Sequence, residues 1–280
     1  MEQNHYIKNT FSKFIEIKGK DTINFLQGLI TNDINKCENK HILIYSGFLS
    51  PQGKFLADFF VFKYNNSFLI EIHQKYFDTF YNKLKIYKLR SDVEFSENTD
   101  LLSFIVFSEN NLSFSDSTIL FDDPRNNNLG KKIFLNKKSQ DQKIFFNLKE
   151  LEYENYKEIL MKNLIPHTPD DLIENKSLLL ENNFQNINAI DWNKGCYIGQ
   201  EITARMKYRS LLKKKIYLLE LISGNIKMDN DIILDDIIIG KTISKAGKYI
   251  LCMLKIDLVQ NKSSNKEHIE IKSSTRLKFL

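Results

Sequence analysis

The sequence predicts an α+β fold, and three observations carry that expectation. Apolar–polar alternations recur in pairs joined by tight-turn signals, the mark of antiparallel hairpins. Helix-period stripes fall between those pairs, so helices interleave with hairpins instead of following every strand. Beyond residue 210 the helical stripes stop, and only short strand runs with glycine turns follow. The chain has 280 residues, more than one core usually serves. Two domains are therefore expected, residues 1–209 and residues 210–280.

In chain order, residues 11–17 alternate and read as a strand. Asp21 is placed to cap a helix whose apolar positions Ile23, Leu26, Leu29 and Ile30 keep helical spacing, with Thr31-Asn32-Asp33 closing it. Three strands follow, at 42–48, 55–64 and 68–72. Ser50-Pro51-Gln52-Gly53 joins the first two and Asn65-Asn66 the last two, both turn chemistries with a mechanism. A helix over 74–88 carries Phe77, Phe80, Leu84 and Tyr87 on one stripe. Strands at 91–95 and 101–107 come next, then a weaker set at 118–121 and 131–135 and a helix near 150–162. Past Arg209 the strand runs are 216–222, 232–234, 237–243, 249–256 and 268–271, with Gly224, Gly240 and Gly247 at turns and no amphipathic helix. That pattern predicts a small C-terminal β-barrel.

Composition narrows the class. Hydrophobic residues make up 42% and aromatics 12%, with only 10 Gly and 4 Pro, enough for a core and against disorder. The net charge of +5, from 40 basic and 35 acidic residues, permits an anionic partner without demanding nucleic acid. Cys37, Cys196 and Cys252 have no metal-finger spacing, and their odd count fits a reducing compartment. The first ten residues have no apolar signal core, and no 18-residue apolar run occurs, so neither secretion nor membrane spanning is expected. His5, His41, His73, His167 and His268 share no ligand spacing. Lys213-Lys214-Lys215 lacks the aromatic or glycine context of an RNA site, so a solvated strand start stands beside direct tRNA contact. No P-loop, dinucleotide fingerprint or serine nucleophile elbow is present.

The most informative stretch is residues 194–201, K-G-C-Y-I-G-Q-E. Gly195 and Gly199 bracket Cys196 and suggest a tight turn that presents the sulfur. Lys194 and Arg205 would place positive charge nearby, and residues 200–206 are good helix formers, so Cys196 would precede a helix N-terminus. Both effects favour thiolate. The plain alternative is a small buried cysteine between turn residues.

This octet, followed by Ala204-Arg205 and Arg209, resembles the signature of the YgfZ family. These are folate-binding proteins related to the T protein of glycine cleavage, and the mitochondrial members are iron–sulfur cluster assembly factors. Further pieces are similar to that family in order along the chain: Phe25 to Asp33 (F-L-Q-G-L-I-T-N-D), Gly47 with Ser50-Pro51-Gln52-Gly53-Lys54 and Asp58, Tyr87-Lys88-Leu89-Arg90-Ser91, Asp123-Pro124-Arg125 with Leu129-Gly130, and Ile239-Gly240-Lys241 with Ser244. Leu179 stands where the family usually has proline, and Ser210 where glycine follows the arginine.

The resemblance implies a T-protein-like domain around a central cavity that holds tetrahydrofolate or a one-carbon derivative, plus a small barrel. Such a ligand wants apolar walls, a carboxylate for its heterocycle and cations for its glutamate tail. Asp58 is the first carboxylate implied, with a surface strand residue as the alternative. Glu181 is the second, with a solvated helix residue as the alternative. Gln200, Glu201 and Arg205 complete the expected ligand set; Arg205 and Arg209 either meet the anionic tail or pair with Glu201. Cys196 is then the reactive thiol, either a transient iron–sulfur ligand shared with a partner or a redox thiol protecting such a cluster. One cysteine cannot hold a stable four-thiolate cluster, so no resident metal is expected. The implied role is accessory: support of iron–sulfur enzymes, including tRNA-modifying ones, through client or assembly proteins, by a monomer in the cytoplasm or an organellar matrix. A folate-dependent aminomethyltransferase and a direct tRNA-binding modification factor are the alternatives.

Overall fold

A computed structural model describes residues 4–38, 41–108, 112–209, 211–234, 236–262, 268–271 and 275–280, with side chains of 261–274 excluded. In chain order the strands and helices are β1 (His5–Lys8), β2 (Ser12–Lys18), α1 (Thr22–Gln27), β3 (Leu43–Leu49), β4 (Phe55–Tyr64), β5 (Ser67–His73), α2 (Gln74–Lys88), β6 (Glu94–Asn98) and β7 (Leu101–Phe107). Next come β8 (Ile119–Asp122), β9 (Lys131–Asn136), β10 (Lys149–Glu150), α3 (Tyr153–Lys162), α4 (Thr168–Asp171) and α5 (Gln200–Tyr208). The chain ends with β11 (Lys214–Ser223), β12 (Asp231–Leu234), β13 (Ile237–Ala246), β14 (Tyr249–Lys255), α6 (Ile256–Lys262), β15 (His268–Ile271) and β16 (Thr275–Phe279).

The strands form three sheets, in the orders β3-β4-β5-β2-β6, β10-β1-β7-β9-β8 and β12-β13-β14-β11-β16-β15. All pairings are antiparallel except the short β1–β10 ladder. The first two sheets face each other across one core. Phe62 of β4 stacks on Phe134 of β9 at 4.6 Å between ring centroids, and Phe14 of β2 meets the same ring edge-on. β3 and β5 are buried almost throughout, which is why they read as apolar runs instead of clean alternations. α2 lays Tyr76, Phe77, Phe80 and Leu84 onto this core, so three of the four residues of its expected stripe are buried.

The third sheet has a core of its own, including Leu219, Ile250 and Leu254, and presents Ile216, Leu218 and Leu251 to Met161 of α3. Its edge strands β12 and β15 approach within 8 Å between Cα atoms, yet no ladder joins them among the described residues. The expected small barrel is thus an open, curled sheet, bent by register shifts in β11, β12 and β13. Ser210, at the expected boundary, lies outside the described residues.

Two local expectations are corrected. Asp21 makes no side-chain cap on α1; its carboxylate accepts the Asp92 N–H at 2.7 Å, tying α1 to the segment that leads into β6. And α6, where no helix was expected, follows β14 directly. Among the described residues no helix is long and apolar enough to cross a membrane.

Candidate functional site: a braced thiol turn and a cleft of mixed charge

Three segments distant in sequence converge under Cys196: the end of α1 (residues 27–33), the β3–β4 turn (50–54) and the loop 189–199. Thr31 is the hinge pin. Its hydroxyl donates to Ala189 O at 2.6 Å and accepts the Gly47 N–H at 2.8 Å, while its carbonyl takes the Asp191 N–H at 3.0 Å. Asp191 in turn accepts the N–H groups of Asn193 and Lys194 at 2.7 and 3.2 Å and pairs with Lys36 at 2.6 Å. Burial pushes its carboxyl up, but Lys36 and those amides win and hold it below the ordinary range.

Within the octet each residue has a distinct place. Lys194 is buried, and its ammonium donates to the carbonyls of Gln27, Ile30 and Asn32 at 2.9, 2.6 and 2.9 Å. Those acceptors lie on the last turn of α1 and just past it, where helix carbonyls lack internal partners. Burial pulls the ammonium down to about 8, with Asp33 and Asp191 pulling the other way. Tyr197 is buried above it, its ring centroid 5.1 Å from Lys194 Nζ. The Ile198 N–H reaches Gly28 O at 3.0 Å, and the Gln200 side chain accepts the Tyr197 N–H at 3.3 Å. Gly199 has φ +82° and precedes α5; a Cβ there would stand 2.5 Å from Ser50 O. Gly53 is closed against Ile202 in the same way. At Gly195, by contrast, a Cβ would meet nothing within 4 Å.

Between these braced residues Cys196 is exposed, whereas Cys37 and Cys252 are buried. The sulfur sits four residues before the start of α5, as the sequence led one to expect. The charge expected beside it is engaged elsewhere: the Lys194 ammonium turns inward to backbone carbonyls, and Arg205 pairs with Glu201 on the exposed face of α5.

Asp58 and Glu181 line different spaces. Glu181 lies where two adjoining clefts of about 840 and 550 Å³ meet, walled by Leu178, Ile202 and Met206 and rimmed by Lys213, Lys214 and Lys255. Burial raises its carboxyl, while Lys214 at 3.5 Å works against the rise. Asp58 instead lines an inner chamber of about 70 Å³, where its carboxylate accepts the hydroxyls of Tyr45 and Thr168, each at 2.6 Å. Its carboxyl is also raised by burial, against those two hydrogen bonds and Arg125. The α4 turn separates the spaces, with Thr168 and Pro169 facing the chamber and Asp170 and Asp171 the outer cleft.

A flat ligand with a charged tail suits the outer cleft. Each volume falls in the range of ordinary small-molecule sites, about 300–1,000 Å³; in the larger cleft Glu181 and Asp257 stand among apolar walls with Lys213, Lys214 and Lys255, and the smaller one adds Asp170, Asp171 and Asp229 with Lys176 and Lys241. The inner chamber holds a few waters at most on the same scale. Gln200, Glu201 and Arg205 do not line either space.

The chamber also collects groups to which the sequence gave no site role. Lys132 and Glu71 form a buried ion pair at 2.7 Å, and Arg125 forks onto Asp123 and reaches the Tyr156 hydroxyl at 2.7 Å. Their signal was available: Lys132 precedes the apolar run Ile133-Phe134-Leu135, and Glu71 breaks another at Leu69-Ile70-Glu71-Ile72. Among the described residues no three His, Cys, Asp or Glu side chains are grouped as a metal site.

The backbone defines the class of the protein. It superposes on aminomethyltransferase T of the glycine cleavage system from Bartonella henselae with a TM-score of 0.75, covering 99% of this chain and 85% of that one at 11% identity. The fold is therefore that of aminomethyltransferase T. The sequence points to a narrower group: it is similar to the mitochondrial iron–sulfur cluster assembly factor IBA57 homolog of Neurospora crassa, 31% identical over 231 residues, and to that of Mycosarcoma maydis, 29% identical over 220. The matches cover 75% and 72% of this chain and 52% and 53% of those relatives, so the chain spans about half their length. The mouse factor IBA57 is 26% identical over 226 residues. No protein-family model matches the chain.

Proposed function

We propose that this protein is a folate-binding accessory factor of iron–sulfur cluster assembly, of the YgfZ type, in which Cys196 is the working thiol. The observation that carries the reading is the contrast between the exposed sulfur and the turn around it, braced by Lys194, Gly199, Ile198 and Asp191. A thiol held rigidly at the surface suits handing a cluster to, or receiving one from, a partner chain. The relatives named as assembly factors support the same reading. The clients would include tRNA-modifying iron–sulfur enzymes, and the compartment would be reducing, an organellar matrix where the relatives' own location is shared.

Tetrahydrofolate or a one-carbon derivative is proposed for the outer cleft, its heterocycle toward Glu181 and its glutamate tail toward Lys213 and Lys255. An aminomethyltransferase is less well supported, because Asp58 is engaged by Tyr45 and Thr168 in a chamber too small for a pterin.

Two measurements test this. In a strain lacking a related assembly factor, Cys196→Ala is expected to fold and bind folate normally yet abolish rescue; full rescue would remove the thiol from the function. By titration calorimetry with 5-formyltetrahydrofolate, Glu181→Gln is expected to weaken binding about tenfold, the scale of one lost charge-assisted hydrogen bond, while Asp58→Asn leaves affinity unchanged. The opposite pattern would move the ligand to the inner chamber.

A further inference from the structure

We infer that Lys194 is the positioning residue for the Cys196 thiol, its ammonium serving as a three-pronged plug that fastens the thiol turn to the end of α1. The inference rests on the reading that Cys196 is the working thiol and adds how that thiol is held.

A buried lysine is expensive unless its three N–H groups find acceptors. Here three carbonyls on one short stretch, those of Gln27, Ile30 and Asn32, surround Nζ at 2.6–2.9 Å. They are not salt-bridge partners, and two of them lie beyond the last residue of α1, where the carbonyls of a helix end need donors. The partial negative charge at that helix end adds to the attraction. The side chain crosses from the loop into this cluster beneath the Tyr197 ring. Two residues on from the sulfur, the Ile198 N–H bonds to Gly28 O between the same acceptors. Cys196 is thus bracketed at positions 194 and 198 by bonds to one short stretch, residues 27–32. Around the sulfur itself the turn is open: a Cβ on Gly195 would meet nothing within 4 Å, and Cys196 is exposed, while the neighbouring Tyr197 N–H is taken by the Gln200 side chain. Asp191 fixes the loop before the turn and Gly199 fixes it after; across its middle, Lys194 and Ile198 supply the bonds to residues 27–32, and Tyr197 is buried between them.

Shortening the side chain leaves a slot that ends in three carbonyl oxygens, a receptor for a free primary ammonium. This gives a test that simple loss of packing does not satisfy. A nitroxide attached to Cys196, the one exposed cysteine among the described residues, reports turn mobility, and hydrogen exchange reports the Ile198 amide. In Lys194→Ala the nitroxide spectrum is expected to narrow, and Ile198 protection to fall at least tenfold, as for one lost hydrogen bond to a charged group. Adding n-butylammonium is expected to restore both; n-pentanol, which fills the same slot but donates one hydrogen bond without charge, is expected to restore neither. Equal recovery with the alcohol, no recovery with the amine, or unchanged spectra in Lys194→Ala would each overturn the inference. Where Lys194→Ala fails to fold, Lys194→Met keeps the aliphatic stem, and the narrowed spectrum with lost Ile198 protection is expected there without change in α2 protection. Neither readout involves cluster transfer, so a failure here is distinct from a failure of Cys196→Ala in the rescue experiment.

Discussion

At Asp171 a carboxyl is held nearly out of water. One oxygen accepts the His167 N–H at 2.6 Å; the other is buried near the Ser244 hydroxyl, neither completing a well-formed hydrogen bond. Burial pushes the carboxyl up to about 6, with Ser244 and the His167 amide pulling against it and Asp170 adding to the rise. The ordinary value in an unfolded chain is about 3.9. Below both values each state is protonated, and the shift has no effect on stability. Between about 4 and 6 the unfolded chain has released its proton while the folded one keeps it, so stability falls as pH rises and then levels off above 6. The loss is up to about 3 kcal/mol by the same linkage. Asp171→Asn keeps an acceptor for the His167 amide and removes the charge. It is expected to be about 2 kcal/mol more stable at pH 7 and to lose the slope between pH 4 and 6. Urea unfolding across that range decides it, and an unchanged slope would assign the penalty elsewhere. In the sequence, Thr168-Pro169-Asp170-Asp171 carries no local mark that sets one aspartate apart from the other. Nothing local says that β13 will cover the second aspartate and not the first, because the cover arrives from a distant strand.

Among elements, the turn into α5 and the β3–β4 turn depend on each other. Gly199 adopts φ +82°, and a Cβ there would meet Ser50 O at 2.5 Å and the Leu49 Cβ at 2.8 Å; a Cβ on Gly53 would meet the Ile202 Cβ at 2.7 Å. Both contacts involve backbone or branched atoms that cannot swing away. Gly199→Ala therefore combines a disfavoured backbone angle with a clash and is expected to cost about 3 kcal/mol. Gly195→Ala, which meets nothing, is expected to fall within about 0.5 kcal/mol of the parent. Thermal unfolding of the two variants side by side checks the contrast; equal losses would mean that the turn itself, and not its fit against Ser50, demands glycine. The presence of a turn was legible from the octet, and β4 and α2 were legible to the residue because an apolar run between turn signals and a helical stripe are local patterns. What was not legible was which glycine mattered, since that is decided by the approach of the β3–β4 turn. Asp21 misled for the same reason: its position suits a cap, but the Asp92 amide competes for it. At α6, seven residues directly after a strand carry too short a stripe to announce a helix.

Over the whole molecule, the first two sheets are joined by a packed aromatic seam and by one buried ion pair, Lys132 of β9 with Glu71 of β5. The pair sits in a place that water barely reaches, Lys132 being 1% and Glu71 3% exposed. Glu71 is otherwise supplied with the Ser12 hydroxyl at 2.6 Å and the Asn9 amide at 3.2 Å, and Lys132 Nζ stands 4.1 Å from the centre of the Phe60 ring. Two desolvated charges gain little together over two apolar groups of similar shape, but either alone is costly. Lys132→Met leaves the buried Glu71 carboxyl with two neutral donors and no partner cation, and is expected to cost about 3–5 kcal/mol. Adding Glu71→Gln, which keeps an acceptor for Ser12 and Asn9 without the charge, is expected to return most of that loss. Residues in direct contact are not additive, and the coupling should be at least about 1 kcal/mol. Each charge was visible beside or within an apolar run, yet their pairing was not, because they belong to different sheets whose facing is a property of the assembled core. Denaturant midpoints of the two single variants and the double variant measure the coupling. A double variant that loses the sum of the single losses would show that the pair does not act across the two sheets, leaving the aromatic seam of Phe14, Phe62 and Phe134 to hold them face to face.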